Sequence, residues 1–320
     1  MAVLDDETRG ATPPHVAKGH TSSRVDAGTD GSHRVVMSSL SSLSSFLVSS
    51  SPPALVATTV GSGPPIVTLH SSGLSGRQFS RFAAEMKDRA TVYCPDLLGV
   101  GQTPLPAAPP FSLALEVDAV VGLLQTVATT HGRPARVFAH SWGGLVALEA
   151  AVRAPQLLAC LAVYEPVIVG LAARDGSVEA QAQVARVADI MQIPIDDDGG
   201  RRWVEAFVDW WNEPGFFARM PEAQRQQHVD TARQSWREAS CVSQMTLSTT
   251  SLATLTVPTL FLVGETSPTS ARESARLAAG AMPHARLEVI TGAGHMGPLT
   301  HGPMVNGRVA TFFNEVSHTG

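Results

Sequence analysis

From residue 53 onward the apolar positions follow two alternating periods. Short, continuously apolar runs have the length and β-branched content of buried strands: ALVATTVG (54–61), IVTLHS (66–71), ATVYCPD (90–96), ARVFAH (135–140), LLACLAVYE (157–165), VPTLFLVGE (257–265) and ARLEVITG (285–292). Segments with helical spacing lie between them, at 79–88, 111–130, 143–154, 270–282 and near 303–316. Ser112 stands where it would cap the second of these helices. Strands that are apolar on both faces and alternate with helices predict an α/β fold, a mostly parallel twisted sheet flanked by helices. In such sheets ligands collect at the carboxyl ends of the strands, here the loops at 70–76, 139–144, 165–170, 264–270 and 292–298.

The alternation stops between Glu165 and about Thr254. Residues 178–193, 201–213 and 221–239 are helical in pattern and separated by Gly, Pro and Asp turns. Trp203, Phe207, Trp210 and Trp211 fall on one helix face, which the pattern assigns to packing the insertion onto the main domain rather than to contacting substrate. The expected organisation is an N-terminal extension (1–52), disordered or loosely attached and rich in serine at 37–51, an α/β core (53–165 and 255–320), and a helical cap or lid (166–254) over the strand ends. The extension lacks the basic start and apolar centre of a secretory signal, and Asp5, Asp6 and Glu7 weigh against an organellar transit peptide.

Composition narrows the function classes. Charged residues are 16% of the 320, apolar residues 44%, and the net charge of −5 has no basic stripe, so nucleic acid is not an expected partner. No apolar run approaches the roughly 18 residues of a membrane span. Cys94, Cys160 and Cys241 are few and widely spaced, which suits buried free thiols in a cytoplasmic protein and neither a disulfide framework nor a zinc site. Asp196, Asp197 and Asp198 read as a solvated turn, and no phosphate cradle or dinucleotide fingerprint is visible, so neither a metal nor an organic cofactor is expected.

The candidate chemistry centres on RVFAHSWGGLVAL (136–148), where a strand runs into one serine and then a glycine pair opening a helix. A sharp strand-to-helix turn thrusts a serine hydroxyl clear of the backbone and requires small residues two before and two after it, here Ala139 and Gly143. This stretch resembles the G-x-S-x-G nucleophile elbow of the α/β-hydrolase family, with Ala139 in place of the first glycine. LHSSGLSG (69–76) resembles the family's oxyanion segment, PDLLGVGQTP (95–104) its Pro-Asp-x-x-Gly-x-Gly loop, and GAGHMGPLTH (292–301) the segment carrying its catalytic histidine. The resemblance covers about residues 54–316, with all the motifs in the expected order. It implies Ser141 as nucleophile, His295 as general base, the backbone N–H groups of Ser72 and Trp142 as oxyanion donors, and a cap inserted after the strand at 157–165, the sixth in the family's counting. His70 is expected to stabilise the oxyanion loop.

One departure concerns the third member of the triad. Ser267 occupies the place where the family carries its aspartate. Two carboxylates compete to orient His295: Glu165, at the end of the 157–165 strand where some relatives place a glutamate, and Glu265, which strand alternation turns away from the cleft. Glu165 is the expected acid, Glu265 the alternative, and a Ser141–His295 dyad a third arrangement. A serine triad implies acyl transfer on a small apolar or moderately polar acyl substrate: a carboxylic ester, lactone or thioester. Carbon–carbon bond hydrolysis, acyl transfer to another acceptor, a perhydrolase reaction and a non-catalytic ligand receptor are the alternatives. The oligomeric state is not legible.

Overall fold

The computed structural model describes residues 52–196 and 198–317. Almost all of the expected N-terminal extension therefore lies outside the described residues. Seven strands, β1 (Ala57–Gly61), β2 (Pro65–Leu69), β3 (Thr91–Pro95), β4 (Ala135–His140), β5 (Leu158–Tyr164), β6 (Thr259–Gly264) and β7 (Ala285–Ile290), form one sheet. The strand order is β1-β3-β2-β4-β5-β6-β7. β1 runs antiparallel to β3, and every other pairing is parallel. The strand counted as sixth by resemblance is thus the fifth described strand of this chain.

Helices α1 (Ser80–Met86), α2 (Leu113–His131) and α3 (Trp142–Arg153) precede β5. Between β5 and β6 come α4 (Val169–Asp175), α5 (Val178–Met191), α6 (Arg201–Trp211), α7 (Phe216–Arg219), α8 (Glu222–Asp230), α9 (Ala232–Cys241) and α10 (Thr249–Ala253). α11 (Thr269–Ala281), α12 (Gly297–Thr300) and α13 (Gly302–Ser317) complete the described chain.

Strand alternation builds the two faces of the sheet. Val67, Leu69, Val137, Ala139, Leu161, Val163 and Phe261 point into the layer shared with α2, α3 and α11. Ile66, Phe138, Cys160, Ala162, Leu260 and Leu262 point into the opposite layer with α1 and α13. Each fully buried side chain of this size contributes about 1.5–3 kcal/mol of transfer free energy, so the centre of the sheet is the stiff part of the molecule. The three cysteines are free and buried.

Three sequence expectations need correction. α2, at 19 residues, is long and apolar enough to cross a membrane, contrary to the reading that no run approaches that length. In this fold it lies against the sheet, with Leu113, Val117, Val120, Leu124 and Val127 buried in the core. The helix expected over 221–239 is two helices, because Thr231 leaves helical geometry (φ −100°, ψ 1°) and its hydroxyl bonds back to the Gln227 carbonyl at 3.0 Å. The short α4 and α10 were not foreseen; both pack on α11, so the ends of the insertion belong to the sheet's flank. Glu149 of α3 fastens the exit of the insertion, accepting from the backbone N–H (2.7 Å) and hydroxyl (2.6 Å) of Thr246.

Candidate active site

β4 delivers Ser141 at its carboxyl end, and the chain turns there so sharply that Ser141 has φ 55°. A β-carbon on Gly143 would lie 2.5 Å from the Leu69 carbonyl oxygen, and one on Gly144 would lie 2.9 Å from Cα of Pro166, which is why the glycine pair follows the serine. β5, the neighbouring strand, delivers Glu165 with φ 42°. Ser141 and Glu165 are the only non-glycine residues with positive φ among the described residues.

The loop after β7 brings His295 between them. His295 Nε2 lies 3.0 Å from the Ser141 hydroxyl oxygen, and Nδ1 lies 2.8 Å from Glu165 Oε2. A carboxylate can only accept, so Nδ1 carries the proton and Nε2 is left as the acceptor for the serine hydroxyl. All three side chains are buried.

Glu165 is held from β6. Its Oε1 accepts from the Gly264 backbone N–H at 2.6 Å and from the Ser267 hydroxyl. Ser267, the residue standing where the family carries an acid, thus hydrogen-bonds the carboxylate that reaches in from the next strand. Glu265 faces the other way: it is exposed, and its Oε2 accepts from the Gly292 N–H at 2.8 Å.

A chain of neutral groups fixes the histidine loop to the oxyanion segment. His140 donates from Nε2 to the His295 carbonyl (2.9 Å), so its Nδ1 accepts from Gln78 Nε2 (2.8 Å). Gln78 Oε1 in turn accepts from the Ser71 N–H at 2.9 Å. Burial drives the His140 pKa well below its ordinary value, with the nearby His295 adding to the effect, which keeps this link uncharged. Tyr164 donates to the Gly294 carbonyl at 2.7 Å, and a side chain on Gly297 would strike the Tyr164 hydroxyl. His70 ties the same segment to the 95–104 loop by accepting from the Leu97 N–H at 3.0 Å; burial lowers its pKa from 6.5 to about 4.

Ser72 and Trp142 border Ser141. Trp142 opens α3, where a helix leaves its N–H groups without intrahelical partners, and among the described residues the Ser72 N–H has no backbone carbonyl as partner. Two cavities meet at Ser141. The larger, about 580 Å³, is bordered by His295 and by Trp203, Phe207, Trp211 and Met220 of the insertion. The smaller, about 50 Å³, lies beside Trp142. Phe207, Trp210 and Trp211 pack the insertion onto the main core as the sequence reading expected, whereas Trp203 sits in the insertion's own core; Trp203, Phe207 and Trp211 also border the larger cavity. The ring of Trp211 stacks on that of His295, with centroids 3.9 Å apart and planes 18° from parallel.

Sequence reasoning also missed a buried acid pair behind Ser72 and Trp142. Glu116 of α2 and Glu238 of α9 are both fully buried. Burial, and then the charge of Glu238, pushes Glu116 from 4.5 up to about 8 against the Leu98 N–H bond; burial pushes Glu238 up to about 7 against the Ser72 and Gln234 side chains. Gln234 Nε2 bridges the Leu98 carbonyl (2.9 Å) and Glu238 Oε1 (3.2 Å). The Trp142 indole N–H faces Glu116 without completing a hydrogen bond. One signal was available, a lone glutamate in the apolar stretch LALEVDAVV; Glu238, on a charged helix, offered none.

Among the described residues no cluster of His, Cys, Asp and Glu could hold a metal ion. Asp198 accepts from the N–H groups of Gly200 and Arg202, and Asp196 pairs with Arg233 at 2.6 Å; Asp197 lies outside the described residues.

The family model described as "Alpha/beta hydrolase family" matches residues 66–306. The chain belongs to the alpha/beta hydrolase family. It is 40% identical over 105 residues to a pimeloyl-[acyl-carrier protein] methyl ester esterase of Chromobacterium violaceum, covering 33% of this chain and 38% of that protein. It is 29% identical over 185 residues to a 2-hydroxymuconate semialdehyde hydrolase of Pseudomonas sp. strain CF600, covering 53% of this chain and 63% of that one. The chain thus spans less than two thirds of either curated relative. Its fold is that of a thermophilic esterase from Thermogutta terrifontis, with a TM-score of 0.65 at 24% identity, over 82% of this chain and 93% of the other. This alpha/beta hydrolase carries its histidine-paired carboxylate immediately after β5, with a serine on the loop after β6 supporting it.

Proposed function

We propose that this protein is a serine hydrolase that cleaves a carboxylic ester, lactone or thioester through an acyl-enzyme on Ser141. The reading rests on one observation: the unbroken chain from the Ser141 hydroxyl through His295 to Glu165, at 3.0 and 2.8 Å, opening into a cavity walled by aromatic and polar side chains. The Ser141 oxygen attacks the carbonyl carbon while His295 Nε2 takes its proton. The backbone N–H groups of Ser72 and Trp142 receive the oxyanion, and His295 returns the proton to the leaving oxygen, or to sulfur in a thioester, as the bond from the acyl carbon to that atom breaks. Water then repeats the sequence and frees the acid. Glu165 keeps the imidazole in the reactive tautomer and stabilises its cation, a role worth about 10⁴-fold in a triad. Residues 166–254 act as the cap that shields this chemistry from solvent.

The esterase relative supports ester cleavage. A second reading, hydrolysis of a carbon–carbon bond beside a ketone, is favoured by the relative named as a 2-hydroxymuconate semialdehyde hydrolase. In that case the leaving group is a carbanion that His295 protonates at carbon.

The test is labelling by a fluorophosphonate together with hydrolysis of p-nitrophenyl acetate. Wild type should label and turn over, and Ser141→Ala should do neither, losing about 10⁴-fold or more in kcat. Labelling without turnover of any ester, combined with cleavage of a 2-hydroxy-6-oxo-dienoate, would replace ester hydrolysis with the second reading.

A further inference from the structure

We infer that the two cavities divide the substrate at its scissile bond, the small one taking a short apolar acyl group and the large one a bulky leaving group. This rests on the proposed ester hydrolysis and follows from where each substituent of the carbonyl carbon must go. In the tetrahedral intermediate that carbon is bonded to the Ser141 oxygen, the oxyanion, the leaving oxygen and the acyl chain. The oxyanion is committed to the N–H groups of Ser72 and Trp142. The leaving oxygen must take its proton from His295 Nε2, so its substituent lies on the histidine side. His295 and its loop neighbours Met296 and Leu299 line the cavity of about 580 Å³. None of them lines the cavity of about 50 Å³, which Ser141 and Trp142 share with Val167, Val169, Val187, Ile190, Trp210 and Val242. The acyl chain takes the remaining direction, into this second cavity.

The chemistry of the walls sharpens the assignment. The small cavity is walled by valines, an isoleucine and indole rings, and one water needs about 10–15 Å³ of such space, so it accepts a few heavy atoms: an acyl chain of about two to four carbons. The large cavity falls within the roughly 300–1,000 Å³ range of small-molecule sites. Its lining adds Asn212, Arg219, Gln224, Gln227 and His228 to the aromatic rings, which suits a large alcohol with hydrogen-bonding groups away from the ester. Phe207 and Trp211 border both cavities and form the divider between them.

The step balances without a co-reactant: the acyl–oxygen bond breaks, the alcohol leaves with the proton that Ser141 gave to His295, and water supplies the oxygen and proton that regenerate acid and enzyme.

The experiment compares kcat/KM for 1-naphthyl acetate, butyrate and octanoate, and for methyl octanoate, with fluorophosphonate labelling of Ser141 run in parallel. Wild type should favour naphthyl acetate or butyrate over either octanoate by about 10-fold or more, the scale at which a pocket rejects excess methylenes. Ile190→Ala should raise the octanoate-to-acetate ratio by about 5-fold or more, and Val187→Phe should depress butyrate more than acetate. An enzyme that labels and cleaves octanoates best keeps the proposed function and overturns this inference. So does an Ile190→Ala variant that widens the choice of alcohol and leaves acyl preference untouched. Absence of both labelling and ester turnover overturns both.

Discussion

The sheet and the helical insertion differ in how tightly each holds its side chains. Every residue of β2 and β6 is buried. In the insertion, α5 buries only Ala180 and α8 buries nothing. The two strained residues, Ser141 and Glu165, sit at the ends of adjacent buried strands, where positive φ costs on the order of 1–3 kcal/mol each and persists only if the surroundings over-determine it. The Ser141–His295–Glu165 chain stands at the strand ends of the sheet, while most walls of the two cavities stand on the insertion. Chemistry demands sub-ångström constancy and selectivity does not, so the loosely packed region is the one free to vary.

The hardest blow to this division falls on the reacting groups. Glu165→Gln should leave the fold intact and lower kcat by about 10²–10⁴-fold, because the amide can impose the wrong tautomer on His295. Glu265→Gln, which touches only the exposed Gly292 N–H, should stay within about twofold of wild type on the scale of an ordinary surface change. Steady-state kinetics on one ester reads both. A Glu265 variant that falls as far as the Glu165 variant would return the acid to the loop after β6.

Stability separates the regions next. Phe138→Ala removes a fully buried ring that packs edge-on to both Phe79 and Phe82, and should cost about 3–5 kcal/mol in urea unfolding. Phe217→Ala, in the small aromatic core of the insertion, should lower global stability less and raise local opening, read as faster amide exchange over 201–241. Equal losses with a single exchange regime would mean that insertion and sheet unfold as one.

How legible the molecule was follows the same division. The five inner strands were readable because a mostly parallel sheet buried on both faces writes a nearly uninterrupted apolar run for each of them, whereas the edge strands β1 and β7 are largely exposed or half-buried. Ser141 was readable because a turn that tight leaves glycines behind it; strand alternation turned Glu265 away from the cleft, and Glu165 was legible through the family resemblance. The insertion was readable only as helix. Apolar spacing identified the face that carries Trp203, Phe207 and Trp211, but what that face meets is decided by docking, so the stack of Trp211 on His295 left no local trace. The break at Thr231 was hidden because threonine is compatible with a helix, and the acid pair was hidden because its members lie on helices far apart in sequence. Ser267 was visible as a departure from the family, but its bond to Glu165 needed the register between β5 and β6.

That acid pair, where α9 of the insertion meets α2, gives the smallest effect and the one that probes the boundary. Glu116 and Glu238 are raised by burial from 4.5 to about 8 and about 7. A carboxyl raised in the folded state binds its proton more tightly there than in the unfolded chain. Its favourable contribution is complete below about pH 4.5 and is lost as pH climbs through the folded value. The pair therefore makes the wild type lose stability between about pH 5 and 8, with Cys241, raised by burial and by both carboxyls, adding nothing until higher pH. Glu238→Gln keeps an oxygen acceptor near Gln234 and Ser72 but cannot ionise. Thermal melts of wild type and variant should diverge as pH rises, the variant gaining at least about 2–4 °C relative to wild type by pH 8, equivalent to roughly 1 kcal/mol. Curves that stay parallel across this range would mean that Glu238 is already ionised at the boundary despite its burial, and that its carboxyl contributes no pH-dependent stability there.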